Sequence, residues 1–274
     1  QRQMCIRDSY APVNAQGFVD VEALAQLLRP DTILVSVMAV NNEIGSIQAI
    51  QAISDLLANE PTISFHVDAV QAIGKVPVSS YLTDRVDFAT FSGHKFHAVR
   101  GVGFVYKKAG KKITPLLTGG GQEKDFRSTT ENVAGIASMA KALRLVTDKE
   151  ALSLTKIAKM KKVIFDELSK YEDITLFSGE GDNFAPNILT FGIKGVRGEV
   201  VVHAFEEHQI YISTTSACSS KAGKPAGTLI SMGVPSKLAQ TAVRISLDDD
   251  NDMGQVEQFL TIFKQVYAKT QKVR

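Results

Sequence analysis

The sequence has no tryptophan and only two cysteines, Cys5 and Cys218, among 274 residues. Two thiols cannot build a disulfide framework, which excludes the small stapled secreted scaffolds and points to a reducing cytoplasm. An excess of charge is missing too. Lys plus Arg number 31 against 29 Asp plus Glu, a net of +2, so there is no general electrostatic reason to bind nucleic acid or a membrane. The longest apolar run, ILVSVMAV at 33–40, is far shorter than the ~20 residues that cross a bilayer. No secretory signal pattern opens the chain, and position 1 is not Met. What is present is 44% hydrophobic residues on a length that buries a full core, as one large domain or two smaller ones. The expected partner is a small molecule.

Apolar residues at helical spacing from Val19 to Leu28, behind Asp20 as an N-cap, predict a helix. TILVSVMAV follows without alternation, as expected of a strand covered on both faces in a parallel sheet. Another helix is expected from about Ile47 to Ala58, then strands in ISFHVDAV, VDFATFS and GVGFVYKK. This order predicts an α/β domain. Past about residue 145 a long amphipathic helix runs through Ile157, Met160, Val163, Ile164 and Leu168. NILTFGI (strand), EVVVHAFEEH (helix), IYIS (strand), AVRISL (strand) and a helix from about Met253 to Lys269 complete a second, α+β unit. The expected division is 1–9 as an unmatched segment, 10–147 as a large domain and 148–274 as a small one.

Ligands of open α/β sheets bind at the carboxyl ends of strands. There the chain places Asn41, Asn42 and Glu43, then Asp68 with Gln71, then Ser92, His94 and Lys95. Each has a plainer reading: Asp68 as a helix N-cap, Lys95 as a surface lysine, the histidines as satisfied surface groups. A metal fits poorly, because His94 and His97 lack a Cys or acidic partner at ligand spacing, and His203 and His208 are five apart. DDDND at 248–252 fails as a calcium loop, with Met253 and Phe259 at the sixth and twelfth positions, and complements the last helix's N-terminus instead. TGGGQEKDFRSTTEN, 118–132, lacks a P-loop lysine but could hold one phosphate. Cys218 sits among Ser and Thr in STTSACSSKAG, a loop composition, and is either an incidental thiol or a nucleophile. A reactive lysine, a carboxylate and phosphate-holding hydroxyls without a metal together suggest pyridoxal phosphate (PLP).

VSVMAVNNEIGSIQAI, FHVDAVQAIGK, DFATFSGHKFH, TGGGQEKDFRSTTENVAGI, STTSACSSK and AVRISL, in this order, resemble the cysteine desulfurases of the NifS/IscS group, within the class V aminotransferase superfamily. The resemblance covers about residue 10 to the C-terminus. It implies fold type I of the PLP-dependent transferases, with a mostly parallel sheet in the large domain and a smaller α+β C-terminal domain. It also implies roles. Lys95 matches the lysine that binds the cofactor as a Schiff base, and Asp68 the partner of the pyridine nitrogen. Asn42 and Gln71 match contacts to the ring and its phenolic oxygen, Ser92 and His94 contacts to the phosphate, and Thr130 a hydroxyl reaching the phosphate of a neighbouring subunit. Arg244 matches the arginine that holds the substrate carboxylate, and Cys218 the nucleophile.

The activity so implied converts L-cysteine to L-alanine and leaves a persulfide on Cys218, in a cytoplasmic homodimer that passes sulfur to a scaffold for Fe–S assembly or a tRNA thiolation enzyme. An aminotransferase or selenocysteine lyase would also use Lys95 and Asp68, and a non-catalytic fragment that only binds partners is an alternative from another class. The family's N-terminal quarter has no counterpart here, so weak cofactor binding is expected of this chain. FHAVRGVG departs from the family's usual Gly-Pro-Lys, Thr129 replaces a usual glycine, and DDDND replaces a Thr and Glu pattern.

Overall fold

The computed structural model describes residues 8–215 and 227–271. Its chain divides into two compact units: Asp31–Ala39 with Ile50–Glu150, and the chain up to Pro30 with Val40–Ala49 and everything from Ala151 onward. Among the described residues no helix is long and apolar enough to cross a membrane.

The first unit is built on a four-stranded sheet in the order β1 (Leu34–Met38), β2 (Ser64–Asp68), β3 (Phe88–Ser92) and β4 (Gly103–Lys107). β1, β2 and β3 are parallel, and β4 closes the sheet antiparallel to β3. A side chain at Gly103 would strike the Phe91 carbonyl, so the return into β4 requires glycine there. On one face Phe65, Val67, Ala89 and Phe91 are buried, with Phe91 stacked on Phe104 at 4.4 Å. The other face is partly open. β1 alternates exposed and buried, with Leu34 51% and Met38 38% exposed, which corrects the expectation of a strand covered on both faces. β1 is the outer strand, and its apolar letters on both faces conceal which one is packed.

Asp87, at the head of β3, is buried and clamps this sheet from one end. Its carboxylate accepts the N–H of Phe65 at 2.9 Å and pairs with Arg85 at 2.8 Å and Lys111 at 3.1 Å. Burial pushes its pKa up, but the Phe65 N–H, Lys111 and Arg85 outweigh that and leave it below the usual value.

In the second unit α1 (Val21–Leu27) begins where expected, with the Asp20 carboxylate accepting the Ala23 N–H at 2.9 Å. Its sheet is ordered β5 (Ile174–Leu176), β6 (Ile188–Ile193), β8 (Ala242–Ser246) and β7 (Ser213–Thr214), antiparallel throughout. Every residue of β6 is buried. Leu189, Phe191 and Ile193 share a core with Phe205 of α4 (Gly198–Glu206) and with Val256, Phe259 and Phe263 of α7 (Met253–Gln271), which follows the one-turn α6 (Ser236–Ala239). β7 is only two residues long and lies just beyond most of the expected IYIS strand, whose Tyr211 is 79% exposed. The acidic run ahead of α7 does cap it, since Asp252 Oδ1 accepts the Gln255 N–H at 2.9 Å.

α2 (Ile50–Leu56) is shorter than expected, whereas α3 (Val133–Leu168) is longer and starts well before residue 145. Its first half buries Met139 and Ala142, and its second half buries Ile157, Met160, Ile164 and Leu168 at helical spacing.

Candidate active site

In the sheet of β1 to β4, Asp68 ends β2, and Ser92 ends the neighbouring β3. Period-two alternation puts His66, Asp68, Thr90 and Ser92 on one face, the half-open one. His66 bridges three strands there: Nδ1 is 2.8 Å from Ser36 Oγ, and Nε2 is 3.1 Å from Thr90 Oγ1. Burial pulls the His66 pKa down while the Asp68 charge pulls it up, and burial prevails. A neutral imidazole therefore underlies Asp68 as a polar strut. Sequence reasoning gave His66 no role, although its place two residues before Asp68 in SFHVD put both on one face.

Asp68 is half-buried, and its Oδ1 accepts the Val70 N–H at 3.0 Å. It folds the chain into a local turn, and no helix follows for it to cap. Gln71 is half-buried in the same turn. After Ser92 the chain makes one 3₁₀ turn, Gly93–Phe96, closed by His97 in the left-handed region at φ 70°. Phe96 anchors that turn in the core, while His94 and Lys95 stand exposed. The sheet thus delivers a carboxylate, a hydroxyl, an imidazole and an amine from the carboxyl ends of two adjacent parallel strands. Thr130 lies outside that array, exposed in the segment leading into α3. Thr129 beside it has φ 135°, a region that favours glycine.

The other unit holds Asn42 and Arg244 and brings them together. The turn 41–46 is closed by Asn41, whose Oδ1 accepts the N–H groups of Glu43 at 2.8 Å and Ile44 at 3.0 Å. Gly45 takes φ 80° there. Arg244, in the middle of β8, donates from Nη1 to the Asn42 carbonyl at 2.7 Å. Across the sheet its strand neighbour is Thr190 of β6, whose hydroxyl donates to the Glu43 carbonyl at 2.5 Å. The N–H and hydroxyl of Thr228, in α5 (Gly227–Ser231), both donate to the Glu43 carboxylate. Cys218 lies outside the described residues.

Residues 3–259 match the family described as aminotransferase class-V. The chain is 47% identical over 262 residues to a NifS/IcsS protein homolog of Lactobacillus delbrueckii subsp. bulgaricus, covering 96% of this chain and 68% of that protein. It is 39% identical over 241 residues to a cysteine desulfurase IscS of Dictyoglomus turgidum, covering 87% of this chain and 60% of that one. Among solved structures, a NifS-like protein superposes with a TM-score of 0.85 at 33% identity, over 95% of this chain and 68% of the other. The chain thus spans between three fifths and about two thirds of these relatives, and its fold is that of the NifS-like PLP-dependent enzymes. It belongs to the class-V aminotransferase family, in the PLP-dependent cysteine desulfurase group typified by NifS and IscS.

Proposed function

We propose that the protein containing this chain is a cytoplasmic, homodimeric cysteine desulfurase that converts L-cysteine to L-alanine and carries the sulfur as a persulfide on Cys218. The observation that carries the reading is the delivery of Asp68 and of Ser92 to Lys95 from the carboxyl ends of adjacent parallel strands. The donor set suits PLP. Lys95 has an exposed amine for the aldehyde, and Asp68 a half-buried carboxylate for the pyridinium nitrogen. Gln71 supplies an amide for the phenolic oxygen, Asn42 one for the ring, and Ser92 and His94 are donors for the phosphate. Thr130 would reach the phosphate of the second subunit, which suits its exposure on this chain. When bound, PLP supplies an electron sink that makes the α-carbon of an amino acid acidic.

The chain's own residues account for the remainder. Arg244 binds the substrate carboxylate through its planar fork, held in orientation by the Asn42 carbonyl. Lys95 Nζ takes and returns the α-proton. The Cys218 thiolate attacks the substrate sulfur, so an S–S bond forms as the substrate C–S bond breaks, and a proton completes alanine. The persulfide is then passed to an acceptor protein, an Fe–S scaffold or a tRNA thiolation enzyme.

The test is to purify the PLP-loaded protein, record its cofactor absorbance and measure sulfide and alanine released from L-cysteine. Lys95→Ala should lose both products, while Cys218→Ala should keep the cofactor absorbance and lose sulfide. Sulfide release at the parent rate by Cys218→Ala would refute the assignment.

A further inference from the structure

The second half of α3 buries a lysine. Lys161 is 5% exposed and shares the inward face of the helix with Ile157, Met160 and Ile164. Burial lowers its pKa from 10.5 to about 8 against the pull of Glu180. A methionine would fill the same space without the cost of dehydrating an ammonium, which leaves the contacts of the amine to account for its presence. Those contacts are made to the segment 178–187, SGEGDNFAPN, between β5 and β6. Lys161 Nζ donates to the Ala185 carbonyl at 3.0 Å and stands 5.7 Å from the centre of the Phe184 ring. Ala185 is fully buried, so removing the amine takes a donor from a buried carbonyl.

The same segment walls the turn that carries Asn42. The Ala185 N–H donates to the Gly45 carbonyl at 2.7 Å, the Ile47 N–H to the Asn183 carbonyl at 2.9 Å, and Ser178 Oγ to the Ile44 carbonyl at 2.7 Å. The turn sits close against β6, where a Cβ at Gly45 would lie 3.0 Å from Ile188 Cβ. Ala185 therefore stands between Lys161 on its carbonyl side and Gly45 on its amide side. From Gly45 the turn leads back to the Asn42 carbonyl, which accepts from Arg244 Nη1 at 2.7 Å. All of these residues lie in one compact unit. Every link from Lys161 to the guanidinium is thus a hydrogen bond or a short run of backbone.

We propose that Lys161 is a positioning residue for Arg244, holding the segment 178–187 against the turn and so fixing the Asn42 carbonyl that orients the guanidinium toward a substrate carboxylate. The inference rests on the reading of Arg244 as the carboxylate-binding residue. A planar fork grips a carboxylate through two parallel hydrogen bonds, and their strength depends on alignment. Loosening the turn should therefore weaken ligands that carry a carboxylate and spare those that lack one. A lysine that served stability alone would show no such preference.

The experiment uses the PLP-loaded protein and compares L-alanine with L-alaninamide, which has no carboxylate, at one pH, with binding followed by cofactor absorbance. Lys161→Met keeps most of the stem and removes the donor. It should lower the preference for L-alanine over the amide roughly tenfold, the equivalent of one charge-assisted hydrogen bond, with L-alaninamide bound as by the parent. In an Arg244→Ala background the same substitution should change the binding of neither ligand. Phe184→Leu removes the ring beneath the ammonium but keeps the lysine, and should shift the preference the same way by less. It decides the question if Lys161→Met does not fold. A parent-like preference in the folded variant, or an equal further loss in the Arg244→Ala background, would overturn the proposal. Arg244→Ala alone separates the two levels of the argument. If it keeps the parent's preference, the carboxylate role of Arg244 falls and this inference with it. If it loses the preference while Lys161→Met keeps it, only the inference falls.

Discussion

β1 and β6 are both predominantly apolar runs and end in different environments. LVSVM lies in a parallel sheet and is buried at alternate residues, whereas ILTFGI lies in an antiparallel sheet and is buried throughout. That reverses the usual association of parallel strands with two covered faces. β6 owes its burial to neighbours distant in sequence. Leu189, Phe191 and Ile193 meet the α4 and α7 core, while Ile188 and Gly192 on the opposite face lie against Gly45, Phe177 and Thr241. The lesson is that an apolar run reports the capacity of a strand to be buried, and its neighbours decide how many faces are used.

The largest expected effect sharpens this contrast. Phe191→Ala, at a fully buried site packed 6.2 Å from the Phe263 ring, should cost about 3–5 kcal/mol in urea unfolding. Met38→Ala on the open face of β1 should cost under about 1 kcal/mol, since it leaves no enclosed cavity. Equal losses would break the comparison.

Polar clamps give the next contrast. Asp87→Ala strips a buried acid from Arg85, Lys111 and the Phe65 N–H and should destabilise the parallel-sheet unit by roughly 3 kcal/mol at neutral pH. Because the folded Asp87 pKa is depressed, its contribution is present above the ordinary carboxylate pKa and is lost as pH falls through the lower folded value. The gap between parent and variant should therefore close on acidification.

Lys161 in the other unit is a base whose burial disfavours its charged form. It is 5% exposed, donates to the Ala185 carbonyl at 3.0 Å, and burial lowers its pKa from 10.5 to about 8 against the pull of Glu180. Between about pH 8 and 10.5 the unfolded chain binds the extra proton, so stability of the parent should rise by up to roughly 3 kcal/mol relative to Lys161→Met. Unfolding midpoints across that range would show whether the two curves converge or stay parallel. The smallest effect is expected at Thr129, where φ 135° suits glycine. Thr129→Gly should raise thermal stability by about 1 kcal/mol, and a loss would show that its side chain, which accepts from Arg127, outweighs the strain.

Much of the parallel-sheet unit was legible because its signals are local. Its four strands fall where β-rich runs stand, and Asp68, Ser92, His94 and Lys95 stand at or just after strand ends; in the other unit Asp20 caps α1 by an equally local signal. Asn42 was visible as a residue after a strand, but nothing in NNEIG tells that Arg244, some two hundred positions on, donates to its carbonyl. His66 was passed over because its partners Ser36 and Thr90 belong to other strands. The start of α3 was missed because Val133 and Ile136 are exposed and give its first turns little amphipathic period.

The sequence by itself determined the alternation of helices and strands, the order of its family's motifs and the chemical types available for a site. Hydrophobic period, caps and strand-end residues all act within a few positions of one another, so one-dimensional spacing carries them. Only the tertiary structure decided which faces are covered, that β7 is reduced to Ser213 and Thr214, and that Arg244 of β8 holds the Asn42 carbonyl. Those outcomes depend on burial and on Coulomb interactions at close range, which depend on distances between residues far apart along the chain.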